Sequence, residues 1–343
     1  MRLTMIGFTP ISHTEQFMHH DVQLLGISNA IVDVLANVDH SFLSEIGTVP
    51  GSMTLVDESQ AHAIYDRMGP ATEMSGGSVA NTVAAFALLG GSAAYIGKVK
   101  RDQLGEIFNH DMRALGVDIR LQPAADGAPT ARSHVLITDD GQRTMCTYLG
   151  ACTELATADI SESTVGKPKV SLLEGYVWDI AEGPALAQRS MELAKESQTA
   201  VALSLSDSFC VERHKASFAD AVANHVDIVL ADEDEINMLL GTDNIDDTLE
   251  AIRDRDNLFV ITRSEEGSVI YHRGQTVEQP ANPVENVVDT TGAGDAYSAG
   301  FLYGWANDWS LEDSARLGTH VATSVIQHVG ARIGSGLMDS FER

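Results

Sequence analysis

In this 343-residue chain, the run from Val288 to Phe301 holds the residue types and spacing that speak most directly of chemistry. It reads Val-Asp289-Thr290-Thr291-Gly292-Ala293-Gly294-Asp295, followed by the small and apolar Ala296-Tyr297-Ser298-Ala299-Gly300-Phe301. Two glycines flank Ala293, so the backbone can turn sharply and aim successive N–H groups at one point. The small residues after Asp295 predict a packed helix, which places those N–H groups at its positive end. Such a site binds anions, and phosphoryl oxygens are the usual guests. A carboxylate repels phosphate, so Asp295 does not read as a phosphate ligand. It makes sense as the acceptor of a proton from a hydroxyl that attacks phosphorus. The competing reading is a glycine-rich turn that merely enters a core helix. Seven residues in order, with the aspartate at the helix start, favour an anion hole with its own general base.

A second constellation supports the first. Ser75-Gly76-Gly77-Ser78-Val79-Ala80-Asn81-Thr82 leads into an apolar helix that closes at Leu89-Gly90-Gly91. The glycine pair lets backbone approach a ligand, and Asn81 on the first helical turn offers a donor and an acceptor, which suits vicinal hydroxyls. The two motifs resemble the C-terminal and N-terminal signatures of the ribokinase (PfkB-type carbohydrate kinase) family. That resemblance implies catalysis by Asp295, with the amides of Gly292, Ala293 and Gly294 stabilising the transferring phosphoryl group. It also implies sugar contacts from Gly76, Gly77 and Asn81. Asp33, in Asn29-Ala30-Ile31-Val32-Asp33, matches the family's first-strand aspartate, which accepts hydrogen bonds from two sugar hydroxyls.

The resemblance assigns ATP and cations as well. Ile261-Thr262-Arg263-Ser264-Glu265-Glu266-Gly267 resembles the nucleotide-binding Thr-x-Gly-x-x-Gly, with Ser264 where glycine is common. Thr262, Ser264, Gly267, Gly294 and Asp232 are thereby expected at ATP. Asp232-Glu233-Asp234-Glu235 falls on the family's Asn-x-x-Glu, whose Glu orients Mg²⁺ through water, so Glu235 matches and Asp232 replaces Asn. An acidic N-cap run at the next helix is the alternative for Asp232. Asp289 and Thr291 match the residues that hold a monovalent cation, K⁺ for example, beside the anion hole. A plain strand-end cap is the alternative for Asp289. Arg143 is expected either as a phosphate clamp or as a hairpin charge paired with Asp139 or Asp140. Walker A and GxGxxG patterns are absent from the sequence, which removes the best support for P-loop and dinucleotide readings.

The phosphate acceptor is harder to read, because one fold serves many substrates. Ser204-Leu205-Ser206-Asp207-Ser208-Phe209 resembles the Asn-Leu-Ser-x-x-Phe of the adenosine kinase-like branch. Glu174-Gly175-Tyr176-Val177-Trp178 falls where that branch stacks an aromatic ring on a purine. Ser52-Met53-Thr54-Leu55-Val56-Asp57 and Cys146-Thr147-Tyr148-Leu149-Gly150-Ala151 resemble its bacterial members. A slot of Tyr176, Trp178, Leu35 and Met53 is expected, with plain core packing as the alternative for the aromatics. The expected activity is transfer from ATP to the 5′-hydroxyl of a ribosyl substrate, adenosine first. A sugar kinase acting on ribose is the alternative, and a ligand sensor on a kinase fold is the non-enzyme alternative. The Thr-Thr-Gly form of the last motif favours the sugar.

These residues need a scaffold, and the chain alternates apolar β-type runs with helical patterns. Strands are expected at 23–27, 93–97, 170–173, 200–205, 227–230 and 258–262, and helices at 79–89, 103–115, 184–196 and 310–329. Ser310-Leu311-Glu312-Asp313 reads as a capping box for the last of these. The pattern predicts an α/β fold with a central, mostly parallel sheet flanked by helices. Two regions, about 30–57 and 128–149, read instead as consecutive β segments, the second with an Asp140-Gly141 hairpin signal. They predict a small separate sheet, which the resemblance identifies as a lid inserted in a kinase domain spanning 21–343. Residues 1–20 read as an N-terminal extension and not as a signal peptide.

A formal charge of −27 argues against a nucleic-acid backbone partner. It also repels ATP, unless Mg²⁺ and backbone amides offset the charge locally. Hydrophobic residues make up 44% of the chain without a long apolar run, so a large core is expected and no membrane span. Cys146, Cys152 and Cys210 form no CxxC pair, and buried thiols in a reducing cytoplasm are expected. The partners expected are a nucleoside or sugar and ATP, in a monomer or homodimer.

Overall fold

The structure, a computed structural model, describes residues 21–334 and 336–343. The extension at 1–20 therefore lies outside the described residues. Among them, nine strands form the main sheet in the order Gln275–Gln279, Ser268–His272, Leu258–Thr262, Ile228–Asp232, Ala200–Ser204, Val170–Glu174, Leu24–Ile27, Ala93–Ile96 and Asp118–Ile119. Ser268–His272 pairs antiparallel with both its neighbours, and from Leu258–Thr262 onward the strands pair parallel. Strands such as Leu24–Ile27 and Ala93–Ile96 are buried throughout, which is why they read as continuous apolar runs instead of alternating ones.

Helices cover both faces. Ser78–Leu88, Gln103–Ala114, Ala293–Ala306 and Leu311–Val325 enclose one core around Phe86, Tyr95, Phe108 and Phe301. Gly183–Ser197, Ser208–Asn224 and Glu233–Leu240 enclose the other, around Trp178, Phe218 and Phe259. The last long helix stops at Val325, short of the expected Val329. Its cap is half a capping box. Ser310 Oγ accepts from the Asp313 amide at 3.0 Å, but the Asp313 carboxylate goes to Arg316 and Arg343 instead of back to Ser310.

The small sheet has five strands in the order Met53–Leu55, Arg143–Tyr148, Ala131–Ile137, Ile31–Asn37 and Thr72–Gly76. Arg143–Tyr148 and Ala131–Ile137 form the hairpin, and Gly141 in its turn has φ 79°, the left-handed region that glycine enters freely. Two features were not expected. Helices His40–Ile46 and Glu58–Tyr65 interrupt the β segments, each started by an aspartate cap (Asp39 and Asp57). The strand Thr72–Gly76 also joins the sheet and runs straight into the glycine pair. Along Ile31–Asn37, Val32 and Val34 are fully buried, while Ile31 and Asp33 face the space between the two sheets.

Candidate active site

A cleft of about 1180 Å³ opens between the small sheet and the carboxyl ends of the parallel strands. Ligands of open α/β sheets bind at this end, because the loops that leave the strands converge there. The cleft brings together Asp33, Gly77, Asn81, Tyr176, Asp232, Glu235, Thr262, Ser264, Thr291, Gly292, Ala293, Gly294 and Asp295.

The anion loop is built by the helix Ala293–Ala306, with Gly292 as N-cap at φ 75°. A Cβ on Gly292 would lie 2.5 Å from Ala331 Cβ, so both the conformation and the space demand glycine. Ala293 already donates its amide to Thr290 O at 3.1 Å. This corrects the expectation of three open amides: Gly294 and Asp295, next in the first turn, have no helix carbonyl to serve. Nothing lies within 4 Å of a Cβ built on Gly294, and the residue lines the cleft.

Asp295 is held from the opposite side of the cleft. Ser78 Oγ donates to its Oδ1 at 2.6 Å and Asn81 Nδ2 to its Oδ2 at 3.1 Å, while Thr82 Oγ1 donates to its carbonyl at 3.2 Å. The two glycine-bearing loops are thus joined through their helices, which pack side by side. Burial pushes the Asp295 carboxyl up to about 6, against the lowering effect of those hydrogen bonds and of Arg332. Asp33 is likewise pushed up to about 6 by burial, with Arg332 and Arg143 opposing and Asp295 adding to the rise.

The glycine pair serves Asp33 directly. A Cβ on Gly76 would lie 2.3 Å from Asp33 Oδ2, and one on Gly77, at φ 96°, would lie 2.6 Å from Asn29 O. Gly76 thus gives the carboxylate room, and Gly77 turns the chain into the helix.

Asp232 and Glu235 form a reciprocal capping box: Asp232 Oδ1 accepts from the Glu235 amide at 2.8 Å, and Glu235 Oε2 from the Asp232 amide at 3.0 Å. The N-cap alternative for Asp232 therefore holds, yet both carboxylates also line the cleft. Burial, with Asp232 beside it, pushes Glu235 up to about 8. Ser264, where the family pattern has glycine, adopts φ 51°. Gly267 lies outside the cleft lining. Its φ is 94° and a Cβ would meet Gln279 O at 2.1 Å, so it serves the turn into the antiparallel edge.

The aromatic slot is corrected in part. Tyr176 lines the cleft, and its hydroxyl donates to Asp207, which caps the following helix by accepting from the Cys210 amide at 2.6 Å. Trp178 belongs to the core instead. It is edge-on to Phe218 at 5.1 Å and donates to Ser217 Oγ at 2.9 Å. Leu35 does not reach the lining either, whereas Met53 does and Leu55 joins it. Phe209, 72% exposed on the rim, lines the cleft too and lies outside the expected slot.

Arg143 follows neither expectation. Its Nη1 lies 2.5 Å from Asp289 Oδ2 and donates to Thr291 Oγ1 at 3.2 Å. Asp289 also accepts from the Thr291 amide at 3.0 Å and the Gly330 amide at 2.7 Å. Sequence reasoning missed Arg332 and the buried Glu174, which lines the cleft floor and is pushed up to about 8 by burial. The available signals were a lone cation in Val329-Gly330-Ala331-Arg332-Ile333 and an acid ending an apolar strand.

The pattern of pfkB family carbohydrate kinases matches residues 54–336. The chain belongs to this family. Among solved structures, an adenosine kinase from Sinorhizobium meliloti is 44% identical, with a TM-score of 0.86, covering 94% of this chain and 98% of that one. A probable sugar kinase from Rhizobium etli is 41% identical with a TM-score of 0.86, covering 93% and 97%. An adenosine kinase from Saccharomyces cerevisiae is 27% identical over 329 residues, 90% of this chain and 95% of that protein. Among the described residues of this kinase, no helix is long and apolar enough to cross a membrane.

Asp179, Cys210 and His214 also converge near the cleft, with one possible ligand atom from each within 4.8 Å. Arg213, however, takes both carboxylate oxygens of Asp179, at 3.0 and 2.6 Å, so an ion pair accounts for the group. A carboxyl that must be ionised to accept a proton, and that titrates near 6, gives a rate that rises with pH and levels off above neutrality. The acid limb of kcat/KM is expected near pH 6, and a limb near 4 would mean that the base is not buried.

Proposed function

We propose that this kinase transfers the γ-phosphoryl group of ATP to the 5′-hydroxyl of a ribosyl substrate, with adenosine preferred. The observation that carries the transfer is the placement of Asp295. It sits at the mouth of a helix with open amides beside it, and both its oxygens are held by the acceptor-side motif. Asp33 takes two hydroxyls of the sugar, and Gly76 and Gly77 form the wall beside it. Asn81, whose amide holds Asp295, has a second N–H and a carbonyl left for the sugar. Asp295 receives the 5′-hydroxyl proton as the oxygen attacks phosphorus, and the amides of Gly294 and Asp295 receive the growing charge on the phosphoryl oxygens. The small sheet acts as the lid of the domain and excludes water from this step.

Thr262, Ser264 and Asp232 line the nucleotide side. Asp232 and Glu235 offer hard carboxylate oxygens that would hold Mg²⁺, and the ion would supply positive charge to offset that of the phosphates. The Asp289–Thr291 seat is a different case. Its carboxylate already holds the Arg143 guanidinium and two amides, so it does not fit K⁺ while Arg143 is seated. Three free, buried thiols support a cytoplasmic setting.

Adenosine is preferred because Tyr176, Phe209, Met53 and Leu55 give the cleft an apolar stacking wall, and because a relative 44% identical is an adenosine kinase. The similarity to a probable sugar kinase keeps ribose as the second reading. A panel of adenosine, inosine, ribose and fructose 6-phosphate decides. Stacking contributes ~1–3 kcal/mol per base, so kcat/KM for adenosine should exceed that for ribose by at least about fivefold. Equal use of ribose would establish the sugar kinase reading. Inosine at the level of adenosine would mean that the wall stacks the ring without reading its amine. Absence of ATP consumption with every acceptor would leave only a ligand sensor.

A further inference from the structure

Gly330-Ala331-Arg332 touches three separate parts of the site in three consecutive residues. The Gly330 amide donates to Asp289 Oδ2, Ala331 fills the space beside Gly292, and Arg332 reaches the acceptor motif. Arg332 Nη2 donates to Ser75 O at 2.5 Å and to Ser75 Oγ at 2.8 Å, and Nη1 to Ala80 O at 3.4 Å. Ser75 precedes Gly76, against which the Asp33 carboxylate packs. Ala80 precedes Asn81, which holds Asp295. Each end of the guanidinium is therefore one residue away from a contact of one acidic group.

We infer that Arg332 is a positioning residue for the transfer: it fastens the acceptor loop to the helix behind the base and is the shared counter-charge of Asp33 and Asp295. The inference rests on the roles proposed above for those two carboxylates. An arginine suits this place because its planar fork can serve two carbonyls while remaining charged when desolvated.

The surrounding charges agree. Arg332 lowers both Asp33 and Asp295 against the rise caused by burial, and it also faces Asp111 and Tyr95. Arg143 is the other cation acting on Asp33, while Glu174 and Glu235 both feel Asp295. Without Arg332, two buried carboxylates share a cleft in which, among the described residues, no other cation acts appreciably on Asp295.

The test is a pH profile. Arg332→Gln should move the acid limb of kcat/KM up by about one pH unit or more, since removal of a nearby opposite charge shifts a buried carboxyl by that order. Its activity should then fall at least about fivefold more at pH 6 than at pH 8.5. Arg332→Lys, which keeps the charge and loses the fork, should keep the limb near its wild-type position while raising the acceptor KM. Loss of activity by the same factor at every pH in the Gln variant would make Arg332 merely structural and overturn the inference. Carboxyl ¹³C NMR of aspartate-labelled wild type gives a readout independent of turnover and of how the Gln variant folds. Asp33 and Asp295, assigned through their Asn variants, should titrate near pH 6. Midpoints above about 7.5 would mean that no cation offsets their burial, which also overturns it. A wild type active on no acceptor would sink the functional reading, and the NMR midpoints would still judge the arginine.

Discussion

Asp295→Asn should lower kcat by ~10²–10⁴ with little change in acceptor affinity, because general-base loss has that magnitude and asparagine keeps the size of the side chain. Ser78 and Asn81 can still hold it, since an amide offers both an acceptor and a donor. The same variant should be more stable than wild type at alkaline pH. Burial raises the folded-state value to about 6 from the ordinary 3.8, so the wild-type fold prefers the protonated group. The stability that this preference contributes is complete below pH 3.8 and lost as pH rises through 6. At pH 8 the ionised, buried carboxylate costs on the order of 1–3 kcal/mol that the neutral asparagine side chain avoids. Thermal unfolding should therefore show a Tm gain at pH 8 that vanishes near pH 4. A variant with wild-type kcat would remove Asp295 from the chemistry. One that is slow but gains no stability would keep the base and deny its burial.

Asp33→Ala should act on the acceptor. A hydrogen bond to a charged group contributes ~1.5–3 kcal/mol, so losing two weakens acceptor binding by about 10²–10⁴-fold. ATP affinity should be unchanged, because the nucleotide-side residues lie on the Ile228–Asp232 and Leu258–Thr262 strands and the loops after them. Calorimetric titration with adenosine and with ATP separates the two. Wild-type acceptor affinity in the Ala variant would place Asp33 outside the sugar site.

The sequence was most legible where chemistry and local structure coincide. The anion loop needs glycine at a left-handed position, an open amide and a helix start, and all three are written in one short run. The parallel strands were legible because burial on both faces leaves continuous apolar runs. What was missed depends on long-range pairing. Thr72–Gly76 is half polar and becomes a strand only because Ile31–Asn37 lies beside it. Trp178 and Tyr176, two residues apart, look alike in sequence. The short 3₁₀ turn Gly175–Asp179 sends one into the core and the other to the cleft. Arg143 and Arg332 could not be assigned from sequence, since their partners stand 146 and 257 positions away: Asp289 for the first and Ser75 for the second. Gly267 illustrates the reverse error, a glycine kept for its own backbone and not for a ligand.

Asp33 and Gly76 sit on neighbouring strands of the small sheet, paired in the register Ile31 to Gly76 and Asp33 to Met74. On the proposed reading, Asp33 and Gly76 at the sugar thus belong to the small sheet, while Asn81 and the anion loop belong to helices packed on the main sheet. A shutter would pass over a fixed guest. If the small sheet is the lid, a guest held by Asp33 would ride on the shutter, so any swing of that sheet would change the gap between hydroxyl and phosphorus. The sheet would then behave as a carrier that delivers one reactant to the other, and an empty carrier would leave ATP with nothing aimed at it.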